Sequence, residues 1–581
     1  MAPPTCLPTP NLSACRHLLM VGVVGTMLAT GIAAPPAAQA APAGAHRRTG
    51  TPEASQDSTP GTREAAPLQL VAVLHVHTTA STGAMHPTQI AAAAREAGID
   101  VLLLTENFGY RFRYGPALIR RFVEVTQSTR MLEDFGIDAY LAELRRAQEI
   151  SASPLLLVGV ETPPYAYWTG SLLSGDLVLH DMQRNLLVFA PPSSAGRETA
   201  AGAGAFPYRT AETRDFIKGL PAAGNRYHRY YGFGSLLLLF PGLVLVVGSW
   251  RALARAGVFR PSAYAPAYVL DEKKGRYVRR RRLPLGRREV FGTILCAAGA
   301  TLLYVNFPFS VARLDPYQAD RGYEPFEALI DAVGEDNGLV FWSLPEAEDY
   351  HEFGRAGVRV RLSTESYKDA LLETDGYTGF GAVYADATTA TDIGDTWDRA
   401  LLEYTRGDRS KPPWAVGESA FHYPGQAGKQ LDDILTVVLV PERTHHAVFA
   451  ALANGHVYAT RRERDGADLR LTEFAISAVG IGYEGPVARS GDTLEVSGAE
   501  IEVSLRIDEA GERSVPIRIT IVRNGELYRR IDTTAPFETA WLETLEEDAP
   551  TTYYRVMVRG PRPARIVSNP IFVRNWSGAD H

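Results

Sequence analysis

Three apolar runs, each ending in a metal-ligand type of residue, constrain this chain most. Leu68–Leu74 leads into His75-Val76-His77, Val101–Leu104 into Thr105-Glu106-Asn107, and Leu155–Val160 into Glu161. Runs this short and apolar read as strands buried on both faces. Strands that deliver polar residues from their C-terminal ends are how a (β/α) barrel builds a site. Histidines at i and i+2 of an extended strand point to one side. Imidazoles completed by a carboxylate form a metal-ligand set. An HxH pair alone reads as readily as a structural histidine pair. Its place at a strand end, with partners at two other strand ends, favours the ligand reading.

Between the first two runs, Pro87–Gly98 reads as a helix with Pro near its start and Gly at its end. Strand–helix–strand alternation predicts α/β units. Residues 116–150 are helical in pattern, and strands resume at Leu177–His180 and Asn185–Phe189. Later helices are expected at 323–333, 397–404 and 446–455, and strands at 337–342 and 413–422. This domain ends near residue 465. From 466 to 581 short strands alternate apolar and polar residues, and Asn524-Gly525 marks a hairpin. That pattern predicts an immunoglobulin-like β-sandwich, and it contains no catalytic constellation.

The chain has 581 residues and a net charge of −7, and no basic excess points to nucleic acid. Cys6 and Cys15 precede a removable-looking apolar stretch, and Cys296 lies inside another. The soluble parts therefore offer neither a disulfide framework nor a cysteine zinc site. Residues 1–40 read as a secretory signal peptide ending at Ala38-Gln39-Ala40, with an uncleaved anchor as the alternative. Residues 41–66 read as a disordered linker. The uncharged segments 231–250 and 290–312 each have about the twenty residues a transmembrane helix needs, a buried core helix being the other reading. The Lys- and Arg-rich loop 251–289 between them is expected to stay cytoplasmic. Residues 67–230 and 313–465 then lie on one extracytoplasmic side and assemble one domain interrupted by a membrane hairpin. The expected location is the cell membrane, with membrane lipid as a partner.

The order His75-x-His77, Thr105-Glu106-Asn107, Gly159-Val160-Glu161 and a late His422 resembles the PHP (polymerase and histidinol phosphatase) family over roughly 68–465, hairpin excluded. The blocks 160–170, 338–346 and 414–423 resemble a membrane-anchored bacterial subgroup of it. The resemblance implies a distorted (β/α)7 barrel, up to three metal ions and, in many members, phosphoesterase activity. Residue by residue, it implies His75 and His77 as the opening pair, Glu161 as the bridging carboxylate and His422 as the last histidine. Other ligand positions differ: Asn107, Asn185 and Leu344 replace histidines, and Ala420 replaces an aspartate. One further ligand position falls near Gly83, where nearby His86 is expected to be solvent-exposed.

Two imidazoles and a carboxylate suffice for one divalent ion (Zn, Mn or Fe) carrying a water. A three-metal cluster does not fit, because Leu344 and Ala420 cannot ligate. The expected function is hydrolysis at one metal-activated water, with Glu106 as general base or ligand. The substrate is an unknown small molecule, a phosphate ester among the candidates. The alternative is a catalytically degenerate barrel serving as a cell-surface ligand-binding or assembly module. Tyr165, Tyr167 and Trp168 follow Glu161 as candidates for a substrate mouth, packing being the plainer reading. His445-His446 reads as a solvated pair at a helix start.

Overall fold

The computed structural model describes residues 66–575 apart from short stretches, the longest being 116–124, 194–205, 222–228, 256–267, 280–286 and 313–319. The expected signal peptide, nearly all of the expected linker and much of the basic loop lie outside the described residues.

Seven strands position the site: β1 (Leu68–Val76), β2 (Val101–Asn107), β3 (Leu155–Thr162), β4 (Leu186–Phe189), β5 (Leu339–Trp342), β6 (Gly379–Val383) and β7 (Trp414–Gly417). They lie in the order β7-β6-β5-β4-β3-β2-β1. β1, β2 and β3 are parallel, as are β5, β6 and β7, while β4 runs against both its neighbours. The sheet curls so that its ends meet. Val76 bridges Phe421 just beyond β7, the His77 amide donates to Phe421 and the Phe421 amide to His75, both at 2.9 Å. Every residue of β2 to β7 is buried. That is why these strands carry continuous Val, Leu and Phe instead of an alternating pattern.

The helix Pro87–Glu96 returns the chain from β1 to β2. Pro87 occupies its first turn, and a His86–Gln89 capping box satisfies end amides. It buries Ile90 and Ala94 in one apolar core with Tyr140 and Leu144 of the helix Ile137–Ile150 and Leu104 and Val158 of the sheet. Each large apolar side chain so buried contributes about 1.5–3 kcal/mol.

β8 (Ile434–Val440) pairs antiparallel with β1, β9 (Val457–Arg461) with β8, and Arg565–Ser568 with β9. The sheet therefore continues across residue 465 into the C-terminal region. There a second sheet, including Leu469–Gly480 and Glu500–Glu509, shares an apolar cluster with the first. Asn524 and Gly525, with φ of 50° and 78°, turn the expected hairpin.

The expected fold class is corrected. The two apolar segments form helices, Phe233–Arg255 and Arg287–Asn306, that pack on each other. Among the described residues, however, no helix is long and apolar enough to cross a membrane. Arg251 and Arg255 fall inside the first helix, and Arg287, Arg288 and Glu289 inside the second, so the uncharged run of each is shorter than its helix. A transmembrane hairpin is not supported, and lipid loses its structural basis as a partner. In place of a barrel, hairpin and separate sandwich, the chain is a mixed, sheet-rich fold, one large sheet running from the curled arc into the C-terminal region.

Candidate metal centre

One end of the arc collects the polar residues. β1 does not end as a plain extended strand: His75 has φ 71°, and the register with β2 shifts between Leu74 and Val76. The bulge re-aims His75 while His77 follows beyond the last strand residue. Leu344 after β5 (φ 43°) and Ala420 after β7 (φ 48°) also occupy the left-handed region. Such strain costs of order 1–3 kcal/mol per residue and gathers at functional sites.

His75 Nε2 and His77 Nε2 lie 3.0 Å apart, and each is 3.4 Å from Glu161 Oε2. These residues form the candidate metal cluster found among the described residues, all three buried. A tetrahedral ion with bonds of about 2.0–2.1 Å has ligand-to-ligand edges of about 3.3 Å, so the triangle has the right size. Two imidazoles and one carboxylate also have the right chemistry for a borderline divalent ion. Asn185 Nδ2 donates to the other oxygen, Glu161 Oε1, at 2.6 Å. Asn185 thus orients the carboxylate from the position where the PHP resemblance places a histidine. The Tyr110 hydroxyl is buried beside Glu161 and Asn185. Burial, then the charge of Glu161, pushes the Tyr110 hydroxyl well up.

Sequence reasoning missed Glu418. It is fully buried just after β7, 2.6 Å from His75 Nδ1, and it accepts from Ser343 Oγ at 2.5 Å and the Leu344 amide at 2.9 Å. A carboxylate on the far nitrogen fixes the tautomer and aims Nε2 at the ion. One signal was available in hindsight, the glycine of β6 opposite it. A Cβ at Gly381 would sit 1.8 Å from Glu418 Oε2. Glu418→Gln is expected to weaken metal binding about 10- to 100-fold with the fold intact. Competition with a chromophoric chelator measures it, and unchanged affinity would remove Glu418 from the site.

In the metal-free chain burial alone would lower His75, but Glu161 and then Glu418 outweigh it and hold the imidazole at about 9. Against its own burial, Glu161 is held well below the usual carboxylate range by His75 and His77. A raised histidine stabilises the fold fully below its unfolded value of about 6.5 and loses that contribution as pH rises through about 9. The metal-free chain should therefore lose roughly 3 kcal/mol between pH 6.5 and 9. Urea unfolding across that window checks this. A His75→Ala chain should show no such loss, and identical profiles would refute the assignment. Because the ligand must be deprotonated, metal affinity should rise over the same window.

The other expected residues divide. His422 stacks on His77 with ring centroids 4.2 Å apart, and Thr82 Oγ1 lies 2.9 Å from its Nδ1. Burial, then His77 and His75, push it down to about 2, so it is neutral and stands beside the triangle. Glu106 is fully buried and accepts from the Thr78 amide at 3.0 Å, Thr78 Oγ1 at 2.6 Å and Ser81 Oγ at 2.5 Å. Both of its oxygens are thus committed to the loop that follows His77. Asn107 donates to Thr82 Oγ1 at 3.2 Å and the Arg130 carbonyl at 3.3 Å. Gly83 packs on that loop so closely that a Cβ would lie 2.2 Å from the His77 carbonyl. His86 caps its helix and faces Glu143 at 3.1 Å. Tyr165 and Trp168 are buried, whereas Tyr167 is partly exposed and stacks on His180. The solvated reading of His445 is corrected: it is fully buried, 3.2 Å from Gln148 Oε1.

No protein-family model matches the chain, and no curated protein matches it. Among solved structures, it is similar to a two-domain protein from Bacteroides vulgatus containing a predicted PHP-like metal-dependent phosphoesterase, at 10% identity and TM-score 0.30, covering 85% of this chain and 94% of that one. A second, described as a metal-dependent phosphoesterase, comes from Bifidobacterium adolescentis, at 14% identity and TM-score 0.25, covering 62% and 91%. A third is an amidohydrolase from Chromobacterium violaceum with bound sulfate and no metal, at 14% identity and TM-score 0.25, covering 66% and 96%. At such TM-scores these likenesses carry no argument, and the functional reading rests on the geometry of the centre.

Proposed function

We propose that this chain is a metal-dependent hydrolase of phosphate esters, PHP-like in its motif order, with one divalent ion held by His75, His77 and Glu161. The observation that carries this reading is the buried triangle of donor atoms, 3.0, 3.4 and 3.4 Å on its edges. When bound there, such an ion supplies an acidified water and a Lewis acid for a phosphoryl oxygen. The chain's residues do the rest. Glu418 keeps the His75 proton on Nδ1, and Asn185 turns one Glu161 oxygen toward the ion. The Tyr110 hydroxyl, kept protonated by burial and by Glu161, stands beside Glu161 and Asn185 at the centre.

A second reading, a ligand-binding module without turnover, is favoured by Glu106. Its carboxylate is saturated by Thr78 and Ser81, so it does not stand free as a general base. One experiment separates the two: metal analysis of the purified chain, then a screen of phosphate mono- and diesters. Near one ion per chain with turnover supports the hydrolase. One ion without turnover on any ester supports the module. No ion, even after incubation with Zn, Mn or Fe, defeats the hydrolase.

A further inference from the structure

A cavity of about 180 Å³ opens where the segment after β7 meets β9 and the C-terminal strands. Its lining includes Ser419, Lys429, Gln430, Asp433, Arg461 and Arg462. Arg461, the last residue of β9, stands directly opposite Arg565 on the next strand, and Arg565 opposite Arg559 on the one after. Like charges placed directly across a sheet are destabilising, so such a row calls for a counter-charge. Arg559 has Asp392 at 3.2 Å and Arg462 has Asp468 at 3.2 Å.

Among the described residues the other three cations have only neutral partners. Lys429 Nζ donates to the Ser419 carbonyl at 3.3 Å. Arg461 Nη1 donates to the carbonyls of Tyr384 at 3.1 Å and Ala385 at 2.8 Å. Arg565 Nη1 donates to Thr388 Oγ1 at 3.1 Å. Arg565 Nε and Nη2 are buried with no partner at all. Those two nitrogens form one edge of the guanidinium, a pair of parallel donors suited to gripping an oxyanion. Burial, then Arg461 and Arg559, holds Arg565 below its ordinary value, and burial does the same to Lys429. The acidic side chain in the cavity, Asp433, accepts from the Gln430 amide at 2.7 Å. Asp392 acts on Arg565, and Asp386 and Glu418 on Lys429, only at longer range.

We propose that this cavity, with Lys429 and Arg461 on its wall and Arg565 across the sheet from Arg461, binds a small oxyanion of the phosphate class at a site separate from the metal centre. Three cations without carboxylate partners suit a doubly charged anion better than a singly charged carboxylate.

The test uses the full chain freed of metal by chelation, so that phosphate has no ion to bind. Inorganic phosphate is titrated by calorimetry, with acetate as comparator. The wild-type and His75→Ala chains should bind one phosphate with equal affinity, and acetate more weakly. Lys429→Gln and Arg565→Lys should each weaken phosphate about tenfold. Lys429 is partly exposed, so Lys429→Gln keeps the test decisive where Arg565→Lys fails to fold. The proposal is overturned by absent phosphate binding, by acetate binding as tightly, by unchanged affinity in the folded variants, or by a loss confined to His75→Ala.

Discussion

A His75→Ala chain is expected to retain no ion under conditions in which the wild-type chain holds about one, with metal affinity down by at least about 10²-fold. His75 supplies one of only three donor atoms in the triangle, and its Nε2 lies 3.0 Å from that of His77 and 3.4 Å from Glu161 Oε2. With two ligands left, the ion loses the set of three protein donors that holds a catalytic zinc-like site. The substitution also leaves Glu418 buried without the imidazole that it holds at 2.6 Å. Ser343 Oγ and the Leu344 amide remain as its donors, so the carboxylate is not orphaned and the chain should still fold. Elemental analysis of both chains, purified in parallel, gives the answer. Equal metal content in the two would place the ion elsewhere and end the reading of the triangle. Hydrolytic turnover, where the wild-type chain shows it, should vanish with the ion.

The largest effect on stability is expected at Arg555→Ala. Arg555 and Asp398 are both fully buried, with guanidinium-to-carboxylate distances of 2.7 and 2.6 Å. Asp398 lies on the helix Thr396–Arg406, and Arg555 on the C-terminal strand Thr551–Arg559. The pair therefore ties the arc to the C-terminal region. Asp398 also accepts from the Tyr553 hydroxyl and the Gly394 amide, both at 2.8 Å, and Arg555 lies over the Trp397 ring at 4.8 Å. Removing one partner leaves an uncompensated buried charge, at a cost of about 3–5 kcal/mol. The apolar pair Arg555→Met with Asp398→Leu should recover most of that loss, because both charges then leave the interior together. Urea unfolding of the three chains measures the effect. A single substitution costing under about 1 kcal/mol would show that the pair does not hold the two regions together.

The sequence made the strands legible because burial on both faces demands unbroken apolar runs, and β1, β2 and β3 fall where the Leu- and Val-rich segments predict them. It also made legible the ligand triplet, since His75, His77 and Glu161 close two of those runs. The membrane hairpin was misread because uncharged length alone does not show where a helix begins and ends. The observed helices take in Arg251, Arg255 and Arg287–Glu289 at their basic ends.

What the residues alone determined, then, is the set of apolar strands and the donor types at their ends, both of which follow from local composition. Tertiary structure alone decided which of those polar residues face one another. Glu418 reaches His75 across 343 positions of chain because the sheet curls until the segment after β7 meets the end of β1. The same curl, with the bulge at His75, turns two imidazoles and Glu161 into one triangle, while Glu106, only one residue from the end of β2, is spent on the loop after His77. No spacing rule records such pairings, because they depend on strand order and backbone dihedrals.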